Sequence, residues 1–329
     1  MKKFHSYIFL FIILTSCSSL RNNSTDKNEE LDITIFNKGV TIYEMVDELS
    51  IDWELKRLDT LKQKEKIKYD ILTTEKEEIL ELALEQFEKI IDEYPSSKLY
   101  HKSLYNLVHI NSLMDYEEDE IKYLEMILTS NSNDKEYSGR SGLMANPYAN
   151  FKNEASKRLT EIYIKKGDYK KALEYKKINE KYPLQHFCGN AFAADEIHNA
   201  KQYAKIYIGI GEKKKALKYL LPHIFNNGLA NNSSLVDLTI EILNKNFDPS
   251  LVKKDFENAI NKLHSKTEKK GDDKWTNYYI KYFDTEIEIP SWNLGFETDT
   301  EKIKFELDKV IRESEFYSKL NNKTTHNTM

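Results

Sequence analysis

His186, Cys188 and His198 fall within thirteen residues, with Asp195 and Glu196 between them, so one short stretch holds nitrogen, sulfur and oxygen donors of the kinds that bind zinc. Their spacing fits no zinc pattern. Gly189-Asn190, directly after Cys188, reads more simply as a turn that opens a helix, with Asn190 as its cap and Cys188 as a half-buried lone thiol. These residues are the nearest approach to a metal cluster, and the expectation is no metal and no cofactor. The acidic pairs Glu117-Glu118, Asp119-Glu120 and Asp272-Asp273 hold the groups of a general acid and base, but sequence neighbours on a helix point apart, so they read as solvated faces. Lys213-Lys214-Lys215 reads as a surface turn. The chain carries no nucleophile elbow, phosphate-binding glycine loop, dinucleotide fingerprint or two-histidine zinc helix, and the expectation is a protein that is not an enzyme.

Composition narrows what has to position such groups. The chain has 329 residues, of which 40% are hydrophobic and 12% aromatic, enough to bury a sizeable core. It has 44 Lys against 5 Arg and a net charge of -5, which argues against nucleic acid as a partner. Ten Gly and six Pro are few for this length, while Leu, Ile, Lys and Glu are plentiful, so the expected fold class is all-α.

Lys2 and Lys3 precede an apolar run from Tyr7 to Leu14, long enough for an export signal and too short to span a bilayer. The run ends in Leu14-Thr15-Ser16-Cys17, which resembles the lipobox of bacterial lipoproteins. The resemblance implies a signal over residues 1–16 and a diacylglycerol on Cys17, and Ser18 after it resembles lipoproteins sorted to an outer membrane. Residues 17–34 follow as a polar, flexible tether, so the membrane is an expected partner through the lipid anchor.

From about Ile35 the chain reads as successive amphipathic helices: one over Met45 to Ile71, a second opened by the Thr74-to-Glu77 capping box and stopped at Pro95, a third capped by Ser96 or Ser97 and running to Leu113, and a fourth marked by Ile121, Leu124, Ile127 and Leu128. Asn131 to Asn146 is a long polar loop, a candidate functional loop or subdomain joint. Two later stretches align at an offset of 44 residues: Tyr163 with Tyr207, Gly167 with Gly211, and Ala172-Leu173 with Ala216-Leu217.

On Ala204, Tyr207 and Ala216, and on Ala83, Phe87 and Pro95, the chain resembles tetratricopeptide repeat proteins over residues 75–265, including the periplasmic repeat lipoproteins of the outer-membrane assembly type. Thr160 stands at the family's small position and Lys176 at its aromatic one. The resemblance implies an α-solenoid of helical hairpins over residues 35–265. Its first helices would line a concave face with Glu154, Lys157 and Glu161 from one unit and His198, Lys201 and Lys205 from the next, beside Tyr203. Lys157, Glu161, His198, Lys201 and Lys205 are thus the candidate peptide-binding residues, against the alternative that they simply cover a solvent face.

Residues 266–320 read as a capping segment. Lys266 to Lys274 is a charged break, and Thr285 to Ile289 alternates as a short strand that could pair with Ile33 to Phe36, although a helix continuing to Phe283 fits nearly as well. Thr298 to Leu320 follows as a helix, and residues 321–329 read as a disordered tail. The function expected is an envelope-anchored interaction or assembly module facing the periplasm, with a protein or peptide partner. The alternatives are a nutrient- or glycan-binding lipoprotein using Trp275 and Trp292, and an enzyme of unfamiliar type around His186, Cys188 and His198.

Overall fold

The computed structural model describes residues 27–49, 51–60, 66–139, 146–225, 228–270, 273–295 and 297–321. The segments expected to be the export signal, the first part of the tether and the tail beyond residue 321 lie outside the described residues, as does Cys17. The chain divides into two compact units, Met1–Met126 and Ile127–Met329. Among the described residues, no helix is long and apolar enough to cross a membrane.

The first unit is helical: α1 (Lys27–Glu48), α2 (Ile51–Thr60), α3 (Lys66–Glu93), α4 (Tyr100–Leu113) and the part of α5 (Glu117–Thr129) up to Met126. Leu80, Ala83, Phe87 and Ile90 recur at three- and four-residue steps along α3 and are buried. Phe36 of α1 meets Phe87 edge-on at 5.5 Å, and a side chain at Gly39 would touch the Phe87 ring at 3.0 Å, so a glycine is what lets the two helices close up. Leu104, Leu107 and Ile110 of α4 complete this core.

Several expectations are corrected here. The tether expected to run to residue 34 is already helical from Lys27, and Ile33 to Phe36 is helix rather than strand. The helix expected over Met45 to Ile71 is instead parts of α1, α2 and α3. The capping box at Thr74 is interior to α3: Thr74 Oγ1 donates to the Asp70 carbonyl at 3.0 Å, the back-bond of a mid-helix threonine. No Gly or Pro interrupts Lys66 to Thr73, so the helix extends upstream through the box.

The second unit opens with a loop that closes through a Tyr137–Tyr148 bridge. Then come α6 (Phe151–Lys165), α7 (Tyr169–Asn179), α8 (Gly189–Ile210) and α9 (Lys213–Leu220), followed by a 3₁₀ turn (Leu221–His223), α10 (Ser233–Asn246) and α11 (Pro249–Asn261). Asp134 in the loop caps α6, accepting the N–H groups of Lys152 at 2.7 Å and Asn153 at 3.1 Å. Buried Asn150 accepts from Gln185 N–H at 2.6 Å and donates back to its carbonyl at 2.9 Å, which ties the loop to the segment before α8. The helices pair as α6–α7 and α8–α9, each turning on a left-handed glycine, Gly167 (φ 74°) and Gly211 (φ 89°).

The unit ends in an antiparallel sheet of β1 (His264–Lys270), β2 (Asp273–Tyr282) and β3 (Thr285–Ile289), in that order, then α12 (Thr300–Arg312) and α13 (Glu315–Asn321). The alternation read at Thr285–Ile289 is the burial pattern of β3, whose partner is β2, with Ile280 opposite Ile287. The described residues of the stretch expected as a break, Lys266 to Lys270 with Asp273 and Lys274, pair β1 with β2, Glu268 opposite Trp275, and no helix runs to Phe283. Phe283 and Asp284 both have positive φ, the two-residue hairpin turn that matches strand twist. Phe247 holds Phe283 there, ring to ring at 4.9 Å. Ile280, Ile287 and Ile289 share one core with α9, α10, α11 and the last two helices, centred on Phe256 against Tyr282 (5.0 Å) and Phe316 (5.1 Å). Residues 266–320 therefore belong to the same unit as the helices before them instead of capping a domain that ends at residue 265.

Candidate functional site

The two hairpins of the second unit repeat in detail. Tyr163 of α6 stacks on Tyr175 of α7 at 5.4 Å, and Tyr207 of α8 stacks on Tyr219 of α9 at 5.6 Å. Lys171 sits 4.3 Å over the Tyr163 ring and Lys215 5.5 Å over that of Tyr207. Lys171 with Lys215 and Tyr175 with Tyr219 keep the 44-residue offset, two matches that the tyrosine, glycine and alanine comparison passed over. Ala172 and Ala216 are fully buried where each second helix approaches the first. Tyr163 and Tyr207 thus pack within their hairpins, and Tyr203 stacks on Tyr219 at 4.2 Å.

Between the hairpins runs a polar seam. Lys157 of α6 pairs with Asp195 of α8 at 2.6 Å, and the other Asp195 oxygen accepts from Asn199 at 2.8 Å. Asn199 Oδ1 in turn accepts from Lys176 of α7, whose ammonium also donates to Asn179 Oδ1 at 2.9 Å and Gln202 Oε1 at 3.0 Å. Lys176 is 1% exposed, its three N–H donors are matched by three amide oxygens, and burial pulls its pKa down to about 8. Through Lys176, α7 contributes a hydrogen-bonding hub to the seam.

Burial would raise the Glu161 carboxyl, but His198, with Arg158 and Lys157, outweighs it and holds Glu161 below its usual value. His198 Nε2 lies 3.1 Å from Glu161 Oε1, off the direction of a well-formed hydrogen bond. Glu154 is pushed up by burial and by Asp195 and Glu161, against Lys157 and His198. Of the candidate binding residues, the fold brings Lys157, Glu161 and His198 together. Lys157, among the candidate peptide-binding residues, is paired with Asp195. Lys201 donates to Ser234 Oγ on α10 at 2.8 Å, and Lys205 is exposed further along α8.

The metal candidates do not converge. His186 Nδ1 accepts the N–H of Cys188 at 2.9 Å, and its ring stacks on Phe187 at 5.1 Å, while His198 belongs to the seam. Among the described residues, no group of three or more His, Cys, Asp or Glu is placed to hold a metal ion. Cys188, not Asn190, occupies the cap position of α8.

A cavity of about 280 Å³ opens between the N-terminal half of α8, the 3₁₀ turn and β3. Ile197, Pro222, Phe225 and Pro290 form its apolar walls, and Glu196, His223, Asn232 and Glu288 supply its polar groups. Asn232 is 4% exposed, and its Nδ2 donates to the His223 carbonyl at 2.8 Å. Burial lowers the His223 pKa, with the nearby Glu196 charge opposing. These four residues come from separate segments, and no sequence motif joins them.

No known protein family, curated protein or solved structure matches the chain.

Proposed function

We propose that the protein is a lipid-anchored envelope module, held by Cys17 at the periplasmic face of an outer membrane, whose tetratricopeptide-like hairpins stack as a short solenoid and present surface to a protein partner without chemistry of their own. The observation that carries this reading is the repeated Tyr–Tyr–Lys packing of α6–α7 and α8–α9, joined across the seam. Such stacking is how repeat units bury cores that none could bury alone. The segment leading into α8 and the first turn of that helix add exposed aromatics suited to a partner, Phe187 at 63% and Phe192 at 40%.

Photo-crosslinking residues at Phe187 and Phe192 in intact cells test this reading, with exposed Lys245 as the control position. One discrete adduct from the aromatic positions and none from the control is the expected result, and equal labelling at all three contradicts it. Cys17→Ala is expected to move the protein from the membrane to the soluble fraction, whereas unchanged membrane recovery contradicts the anchor.

A second reading, a nutrient- or glycan-binding lipoprotein, is favoured by Trp292, which is 80% exposed beyond β3. Saccharide-dependent quenching of tryptophan fluorescence, lost in Trp292→Ala, would support it over the first.

A further inference from the structure

We propose that the cavity between α8, the 3₁₀ turn and β3 binds an organic cation, an alkylammonium or guanidinium head carried on a short apolar stem. The inference goes beyond the hairpin-module reading and requires neither the lipid anchor nor a protein partner.

Charge is the first argument. Glu196 and Glu288 line the same small space, and among the described residues neither carboxylate has an ion pair or a hydrogen bond. By contrast, Asp195 has Lys157, Glu286, two residues before Glu288, has Lys266, and Glu257 has Arg312. His223 supplies no compensating cation, because burial holds its imidazole toward the neutral form.

Hydrogen bonding is the second argument, and it is independent of charge. Asn232 lines the cavity, 4% exposed. Its amide nitrogen is committed to the His223 carbonyl, which fixes the side chain and leaves its Oδ1 as an acceptor with no donor among the described residues. The polar side of the cavity is therefore a set of oxygens, two charged and one neutral, and it calls for a ligand rich in N–H groups.

Size and the remaining walls define the rest of the ligand. A volume of about 280 Å³ lies at the small end of ligand cavities, and Ile197, Phe225 and Pro290 give a stem apolar surface to cover. A divalent metal is disfavoured, since these carboxylates and His223 do not converge as a ligand set. The same chemistry is found in a free aliphatic amine and in a Lys or Arg side chain of a peptide.

Isothermal titration of the full lipidated chain in detergent tests the proposal with four probes: n-butylammonium, n-butylguanidinium, a blocked Gly-Lys-Gly peptide and neutral n-pentanol. A cationic probe is expected to bind one to one, at least about tenfold more tightly than pentanol. Glu196→Gln and Glu288→Gln, both at solvent-accessible side chains, are each expected to weaken binding about tenfold without changing the melting temperature. Tighter binding of the peptide supports the site and assigns it to a basic side chain, and tighter binding of a free amine or guanidine supports it and assigns it to a small molecule. Equal binding of pentanol, no binding of any cation, indifference to both Gln variants, or calcium displacing the cations at lower concentration would each overturn the proposal.

Discussion

The seam between α6, α7 and α8 and the cavity beside α8 are both polar, only a few residues apart along one helix, yet they are built on opposite plans. In the seam, charges and amides are matched donor to acceptor, from Lys157 through Asp195 and Asn199 to Lys176. In the cavity, two carboxylates and an amide oxygen have no partner among the described residues. A matched buried network rigidifies and specifies a packing arrangement, whereas unmatched polar groups in a concave space mark where something else is to bind. Residue type alone points to the seam, and pairing points to the cavity.

Variants that separate the two plans follow in order of expected effect. Lys176→Met keeps the volume but leaves three amide oxygens, two of them on the buried Asn179 and Gln202, without a donor. It is expected to lower stability by about 3 kcal/mol, or the melting temperature of the second unit by roughly 6–12 °C. Its pH dependence sharpens the assignment. The folded-state pKa of Lys176 is pulled down to about 8 from the ordinary lysine value of 10.5, so above pH 8 the unfolded chain holds the proton that the native chain has released, and native stability rises with pH. Lys176→Met lacks this contribution, so the stability gap between wild type and variant is expected to widen between pH 8 and 10 in thermal melts. Above pH 10 both proteins should lose stability, because Tyr203 and Tyr219 keep their protons longer in the folded state than in the unfolded chain.

Asp195→Ala strands Lys157 and frees Asn199, and about 2 kcal/mol of destabilisation in urea unfolding is expected, smaller because the pair is only partly buried. Gly209→Ala comes next. A methyl there would lie 2.3 Å from the Tyr169 ring, so α8 and the start of α7 would have to shift, with an expected loss of about 1 kcal/mol. The cavity variants Glu196→Gln and Glu288→Gln are expected to fall within about 0.5 kcal/mol of wild type.

The hairpins were legible because a turn glycine, a buried alanine and a stacked tyrosine constrain residue type, and those constraints recur at Gly167 and Gly211. The seam was half legible. Lys157, Glu161 and His198 were picked out by position, but Asp195, Asn199 and Gln202, which link Lys157 to Lys176, carry no signature apart from the fold. The sheet was read only at β3, whose inner residues are apolar. β1 is a lysine-rich edge strand, and such strands avoid the apolar alternation by which strands are recognised. Thr74 misled because a capping box and a mid-helix threonine look alike when the helix begins upstream. The cavity could not be read at all, since Glu196, His223, Asn232 and Glu288 become neighbours only through packing.

The most direct test of the contrast is the urea-unfolding free energy of the double variant Glu196→Gln/Glu288→Gln, measured beside Lys176→Met. If the cavity charges are held for a ligand and the seam is held for the fold, the double variant should equal or exceed wild type while Lys176→Met falls about 3 kcal/mol below it. A double variant destabilised as much as Lys176→Met would make those carboxylates part of the scaffold and contradict the account.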